Sequence, residues 1–336
     1  MRYVQALNDT LRSVLRDDPR VIVLGEDIAD PYGGAFKATK GLSTEFPDRV
    51  RTTPVSEGAI TGLSAGLALA GFRPVLEIMF GDFLTLCFDQ IVNHISKYER
   101  MYDGNATCPV IVRSPSGGGR GYGPTHSQSL EKHFLGTPHL RVVAASLFHP
   151  PLTSFQDFLK HDSPVLHVEH KLLYPANLMS QEAVRSEGLS IEEERGDATI
   201  PTLSIRPVSR DRCTATVVAY GYSAWLAYRS ILQLAYEEEI LVELLVPAEL
   251  GPVDWAPITR SVEATGSLLT VEEGTAGWSW GTEIAAGTTE RCFGDLRRAP
   301  SVLASDPTII PSSRQLEEQM LVTQEKIASA IRRAAA

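Results

Sequence analysis

Arg51-Thr52-Thr53-Pro54-Val55-Ser56-Glu57-Gly58-Ala59-Ile60-Thr61-Gly62-Leu63-Ser64-Ala65-Gly66 is the stretch on which the fold turns. A proline closes an extended Thr-Thr segment, and a helix pattern then begins at Ser56-Glu57. Gly58, Gly62, Gly66 and Ala70 recur every fourth position, so one helix face carries almost no side chains. Another backbone can approach that face closely, within the fold or between subunits. Membrane helices use the same spacing to pair, but the weakly polar run from Ala59 to Phe72 falls short of the ~20 residues a spanning helix needs. By itself Glu57 reads as a first-turn acid that serves its own helix, because the helix dipole favours its ionised form there.

Outward from this helix the pattern alternates. Val4, Leu7, Leu11, Val14 and Leu15 recur at helical spacing, Asp17-Asp18-Pro19 stops the helix, and Val21-Ile22-Val23-Leu24 follows as a short buried strand. Further strand candidates are Val75 to Met79, Pro109 to Arg113, Arg141 to Ala145 and Val165 to Glu169. Short apolar strands separated by helical stretches predict an α/β fold: a doubly wound, mostly parallel sheet that binds ligands beyond the carboxyl ends of its strands. From about Pro175 to Arg212 the pattern weakens around the acidic run Glu192-Glu193-Glu194, which reads as a crossover. A second α/β unit follows, with strands at Thr214 to Tyr220, Ile240 to Val246 and Leu268 to Glu272, helices near Trp225 to Tyr236 and Thr282 to Cys292, and a closing helix from Ser312. The expected division is 1–176, a linker at 177–212, and 213–336.

The 336 residues carry 31 basic and 41 acidic side chains, a formal charge of −10 with no Lys/Arg block. That balance argues against a nucleic-acid surface or a polybasic membrane patch and favours protein or small-molecule partners. Hydrophobic residues at 43% supply enough apolar surface for buried cores, which excludes disorder as the main state. Cys87, Cys108, Cys213 and Cys292 form no CxxC pair, so reduced thiols in the cytoplasm are expected, with no structural metal site. No apolar stretch follows the first residues, so no secretory signal is expected.

Six strings together carry a resemblance. Thr53-Pro54-Val55-Ser56-Glu57-Gly58 is followed by Gly71-Phe72-Arg73-Pro74-Val75-Leu76-Glu77-Ile78-Met79-Phe80-Gly81-Asp82-Phe83 and Asp89-Gln90-Ile91-Val92-Asn93. With Leu24-Gly25-Glu26-Asp27-Ile28, Gly33-Gly34-Ala35-Phe36-Lys37 and Gly123-Pro124-Thr125-His126-Ser127-Gln128-Ser129, this order resembles the β subunit of the thiamine-diphosphate-dependent E1 component of 2-oxo acid dehydrogenase complexes. The resemblance is close over roughly the first 145 residues and looser beyond. It implies a pyrimidine-type thiamine-diphosphate-binding domain followed by a transketolase C-terminal-like domain.

The cofactor of that family attacks a 2-oxo carbonyl and takes up the electrons released by decarboxylation. The resemblance places Glu57 at the carboxyl group that hydrogen-bonds N1′ of the aminopyrimidine, where desolvation suits a glutamate to share a proton near neutrality. It places Phe83 at the aromatic position that stacks on the pyrimidine; taken alone, a Phe beside Phe80 and Leu84 reads as core. His126 follows the loop Gly117-Gly118-Gly119-Arg120-Gly121-Tyr122-Gly123-Pro124, whose glycines let the chain pass close to a ligand or a neighbouring backbone. In the family this histidine reaches the substrate side of the thiazolium. Glu26 reads either as part of a buried acidic network near the cofactor or as a plain loop carboxylate. His133 and His139 have no such setting and read as surface or loop residues.

Two weaker signals are set aside. Gly119-x-Gly121-x-Gly123 runs straight into Pro124 and lacks the helix start of a nucleotide loop. Gly221-Tyr222-Ser223-Ala224-Trp225 has a tryptophan where a nucleophile elbow needs its second glycine, and reads as an ordinary strand-to-helix turn. The Gly-Asp-Gly segment with a downstream Asn that holds Mg2+ and the diphosphate in the family is missing; Gly294-Asp295-Leu296 does not supply it. The resemblance therefore implies an E1 α subunit holding Mg2+ and the diphosphate, an α2β2 heterotetramer, and a lipoyl acyltransferase E2 as acceptor. After Ala145 the chain departs from the family, and the pair Pro150-Pro151 disfavours a helix starting there. That divergence keeps open a two-chain carboligase or acyl transferase of specialised metabolism; a non-catalytic scaffold subunit is the third alternative.

Overall fold

A computed structural model describes residues 1–207 and 209–336. The strands are β1 (Val21–Glu26), β2 (Val50–Thr53), β3 (Arg73–Glu77), β4 (Ile111–Ser116), β5 (Arg141–Ala144), β6 (Val165–His170), β7 (Ser190–Glu194), β8 (Thr202–Arg206), β9 (Thr216–Ala219), β10 (Glu243–Val246), β11 (Glu249–Gly251), β12 (Leu268–Thr275) and β13 (Ser301–Ser305). They form two sheets, ordered β11-β5-β6-β4-β3-β1-β2 and β13-β12-β9-β10-β8-β7. In the first sheet β2, β1, β3, β4, β6 and β5 run parallel, and the apolar runs of the strands inside the edge strand β2 are buried on both faces as such sheets require. The predicted α/β class with two mostly parallel sheets is what the chain adopts.

The first helix, Tyr3–Asp17, buries Leu7, Leu11, Val14 and Leu15, the residues whose spacing announced it. It packs on the helix Pro151–Lys160. A helix does start at the proline pair, against the sequence expectation. Pro151 is its first residue, where the missing N–H has no partner to lose and the fixed φ suits the helix.

The 177–212 segment is more than a crossover. It contains the helix Gln181–Ser186 and the antiparallel pair β7 and β8. The acidic run lies on β7 at the sheet edge, where Glu192 meets Arg206 at 2.6 Å and Glu194 meets Arg260 at 2.9 Å. Opposite charge on neighbouring elements makes a strand of a segment whose composition alone reads as loop. The 213–336 segment also gives up a strand, since β11 pairs antiparallel with β5 as the edge of the first sheet. The closing helix is broken in two, Arg314–Met320 and Gln324–Ala335, because Thr323 caps the second helix by accepting from the Lys326 N–H.

The two sheets share apolar packing. Leu76, Val112 and Leu166 of the first belong to one buried cluster with Val218, Leu245 and Leu268 of the second. Tyr220 sits edge-on to Trp280, whose indole N–H donates to the Leu250 carbonyl at 3.2 Å.

Candidate active site

The parallel strands of the first sheet end on polar residues: Glu26 on β1, Thr53 opposite it on β2, Glu77 on β3 and His170 on β6. Thr53-Pro54 ends β2 because proline has no N–H to give the ladder, and the chain turns into the helix Glu57–Leu69. Glu57 is its first residue and is buried. Among the described residues no side chain donates to its carboxylate. Burial, then the charges of Glu57 and Asp27, push the Glu26 carboxyl above its ordinary value, with the Ser56 N–H opposing. Buried Glu26 Oε1, Thr53 Oγ1 and Gln90 Oε1 are left without a partner. Unsatisfied polar atoms this concentrated mark a place built for something else to bind.

The 3-10 turn Gly81–Cys87 lies against the amino end of this helix, so that a Cβ on Gly58 would stand 3.2 Å from the Leu86 carbonyl. Burial pushes the Cys87 thiol up to about 12; Thr61 opposes, while the charges of Glu57 and Glu26 add to the effect, which places both carboxylates near this turn. Gly81 is required where the turn crosses β4, since its Cβ would meet Ser116 at 2.7 Å. Buried Asp82 accepts from Gln128 Nε2 at 2.8 Å and thereby joins the turn to the segment after His126. Phe83 is half-buried and stands edge-on to the His126 ring at 5.3 Å, with Phe80 at 4.8 Å on the same imidazole. Thr125 Oγ1 shares a hydrogen bond with His126 Nδ1 at 3.0 Å, leaving Nε2 with no protein partner among the described residues.

The four predicted residues thus fall into two pairs, Glu26 with Glu57 beside the Gly81–Cys87 turn and Phe83, within that turn, with His126. Glu26 is buried, with the Glu57 charge acting on it. His133 and His139 are both exposed. Asp82, Gln128 and Lys171 went unassigned. The first two stand in the quoted strings beside Phe83 and His126. Lys171, fully buried, had only its place after an apolar strand to signal it. Its ammonium donates to the Gly117 carbonyl at 2.6 Å, and burial lowers it to about 8 against the attraction of Asp82 and Glu273.

A buried carboxylate with no side-chain donor among the described residues, a second carboxyl raised by burial beside it and an adjacent aromatic ring fit the aminopyrimidine of thiamine diphosphate. The carboxylate can share a proton with a ring nitrogen, and the ring can stack on it. Among the described residues no group of three or more His, Cys, Asp or Glu is arranged to hold a metal ion. No helix among them is long and apolar enough to cross a membrane.

Residues 1–175 match the family model of the transketolase pyrimidine-binding domain, and residues 206–327 that of the transketolase C-terminal domain. The chain is 35% identical to the pyruvate dehydrogenase E1 component subunit beta of Leifsonia xyli subsp. xyli, covering 99% of this chain and 94% of that one. It is 33% identical to the acetoin:2,6-dichlorophenolindophenol oxidoreductase subunit beta of Cupriavidus necator, over 98% and 95%. It is 31% identical to the 2-oxoisovalerate dehydrogenase subunit beta of Bacillus subtilis, over 99% and 98%. Among solved structures, an inactive β4 tetramer of a split-gene transketolase superposes with a TM-score of 0.70 at 18% identity, covering 100% of this chain and 99% of that one, a likeness of fold.

Proposed function

The chain belongs to the family of β subunits of thiamine-diphosphate-dependent 2-oxo acid dehydrogenase E1 components, and from that premise we propose that it decarboxylates a 2-oxo acid together with an α subunit and passes the acyl group to a lipoyl acceptor. One observation carries the reading: among the described residues buried Glu57 has no side-chain donor, and it lies beside Glu26, whose Oε1 is also unpartnered. Thiamine diphosphate, when bound, supplies the carbon nucleophile and the electron sink that decarboxylation needs.

Every other part falls to side chains. Glu57 binds the pyrimidine by its ring nitrogen and holds the proton that passes between them. Glu26, its carboxyl raised by burial and by the neighbouring Glu57 charge, lines the same pocket. Phe83 orients the ring and excludes water from its face. His126, its Nε2 free, hydrogen-bonds the substrate carboxylate or delivers a proton during acyl transfer. The diphosphate and Mg2+ belong to the α subunit in an α2β2 heterotetramer, and a lipoyl acyltransferase E2 takes the product. The exposed Gly62 and Gly66, with nothing within 4 Å of an added Cβ, suit a helix face that packs on another subunit. The division at 177–212 and a reducing, cytoplasmic setting for the four buried thiols are part of the same proposal.

The test is co-purification with the α subunit and measurement of thiamine-diphosphate-dependent CO2 release from a panel of 2-oxo acids, with acetoin as a parallel substrate. The expected result is release from at least one acid and none from Glu57→Gln. Absence of release from every acid, or a fully active Glu57→Gln, overturns the reading.

A further inference from the structure

The loop from Gly117 to Gly123 holds its shape through a group from the far end of the chain. Gly117, Gly119, Gly121 and Gly123 all have positive φ, between 69° and 86°, conformations that turn the alternate N–H groups of Gly119 and Gly121 to one side of the loop. Such a nest binds an anion. Here the anion is the carboxylate of Glu317, on the short helix Arg314–Met320, which accepts from the Gly119 N–H through Oε1 and the Gly121 N–H through Oε2, both at 2.9 Å. Glu317 is 0% exposed and enters no ion pair among the described residues, so the loop amides are its principal partners.

The same tail packs tightly on the loop. A Cβ on Gly123 would stand 2.5 Å from Ser312 Oγ, and one on Gly118 would stand 2.6 Å from Leu321 Cδ1. Three residues past Gly123 the chain places His126 between Phe80 and Phe83, and its N–H returns to the Gly123 carbonyl. A second carboxylate, Glu273, accepts from the intervening Gly118 N–H through Oε1 at 2.8 Å, so among the described residues Glu317 alone bridges the Gly119 and Gly121 amides.

We propose that Glu317 is the positioning residue for His126: from the carboxyl-terminal part of the chain it clamps two amides of the glycine loop and thereby fixes where the imidazole stands. The clamp rests on the proposed role of His126 for its catalytic meaning, though not for its geometry. A glutamine at this position has one acceptor and one NH2 group. It satisfies one loop amide and sets its own donor against the other, which leaves a buried N–H without an acceptor. Aspartate keeps the charge and loses the reach to bridge both amides.

The test uses the full chain labelled with 13Cε1-histidine, in which the His126 signal is identified among eight histidines by its loss in His126→Ala. In the parent chain that signal is displaced by the ring currents of Phe80 and Phe83. Glu317→Gln moves it toward the value of a free histidine while the others stay in place, and Glu317→Asp moves it part of the way. In the α-chain complex, Glu317→Gln lowers kcat about 10- to 100-fold with the half-saturating thiamine diphosphate concentration changed less than about twofold. The double variant Glu317→Gln/His126→Ala is no slower than His126→Ala alone, the non-additivity of residues acting through one another. An unmoved His126 signal in Glu317→Gln, or additive losses in the double variant, overturns the clamp. Full-speed turnover by His126→Ala instead overturns the reading of the site, and leaves the spectroscopic result to decide the clamp by itself.

Discussion

Two clusters of buried carboxylates share the first sheet and differ in how their charge is met. In the middle of the sheet, Arg113 is 1% exposed and lies between Glu77 and Glu169, donating to both oxygens of Glu169 at 2.9 and 2.6 Å, while the Tyr174 hydroxyl closes the group. At the end of β1 and the start of the helix Glu57–Leu69, Glu26 and Glu57 face each other's charge with no cation among the described residues and with an oxygen left unpartnered. Burial acts on both clusters in the same direction. The difference is that Arg113 opposes it at Glu77, which still stays raised, and with His167 more than offsets it at Glu169, drawing that carboxyl down to about 2, whereas no cation opposes it at Glu26 among the described residues. A satisfied cluster holds strands together; an unsatisfied one keeps free energy available for a ligand.

The comparison can be broken most decisively at its two centres. Glu57→Gln is expected to lower CO2 release in the α-chain complex by about 10²- to 10⁴-fold, while the unfolding free energy of the chain, measured in urea, changes by less than about 1 kcal/mol. Arg113→Met reverses the pattern: it leaves Glu77 and Glu169 buried without a cation and costs about 3–5 kcal/mol in the same urea titration. If Glu57→Gln unfolds the chain and Arg113→Met does not, the two clusters have been assigned the wrong way round. A smaller effect is expected at the aromatic wall, where Phe83→Ala weakens thiamine diphosphate binding to the complex about tenfold, read by fluorescence titration.

The smallest effect sharpens the contrast through pH. Glu26 has a raised carboxyl, so its contribution to stability is present below the ordinary value near 4.5 and is lost as pH rises through the folded-state value. Glu169 works in the opposite sense: its contribution is present above 4.5 and is lost as pH falls through about 2. Melting temperature recorded against pH should therefore fall on the alkaline side of 4.5 in the parent chain and lose part of that slope in Glu26→Gln. An identical slope in the two proteins removes Glu26 from the pair.

Much of this was legible before any coordinates. The helix Tyr3–Asp17 and strands β1, β3, β4 and β6 follow from apolar spacing, because hydrophobic period reports which face is buried wherever the burial is local. Elements whose partner is remote were not legible. Glu192-Glu193-Glu194 gave a loop by composition and became a strand because arginines from other elements reached it. The three residues of β11 had no signal of their own and owe their conformation to β5, more than a hundred residues earlier. Pro151 misled because its effect depends on whether it stands inside a helix or at its first position.

At the site the division is the same. Motif order singles out Glu57, Phe83 and His126, and the glycines announce a close approach without saying to what. Folding answered with Ser312 and Glu317, almost two hundred residues away. Sequence by itself determined the alternation of strand and helix and the residue types gathered at the strand ends, since these follow from periodicity and local backbone preference. Only the tertiary structure decided which carboxylates find a cation and which stay bare, because the field at a buried charge depends on what chain closure brings within a few ångströms, and that has no local trace.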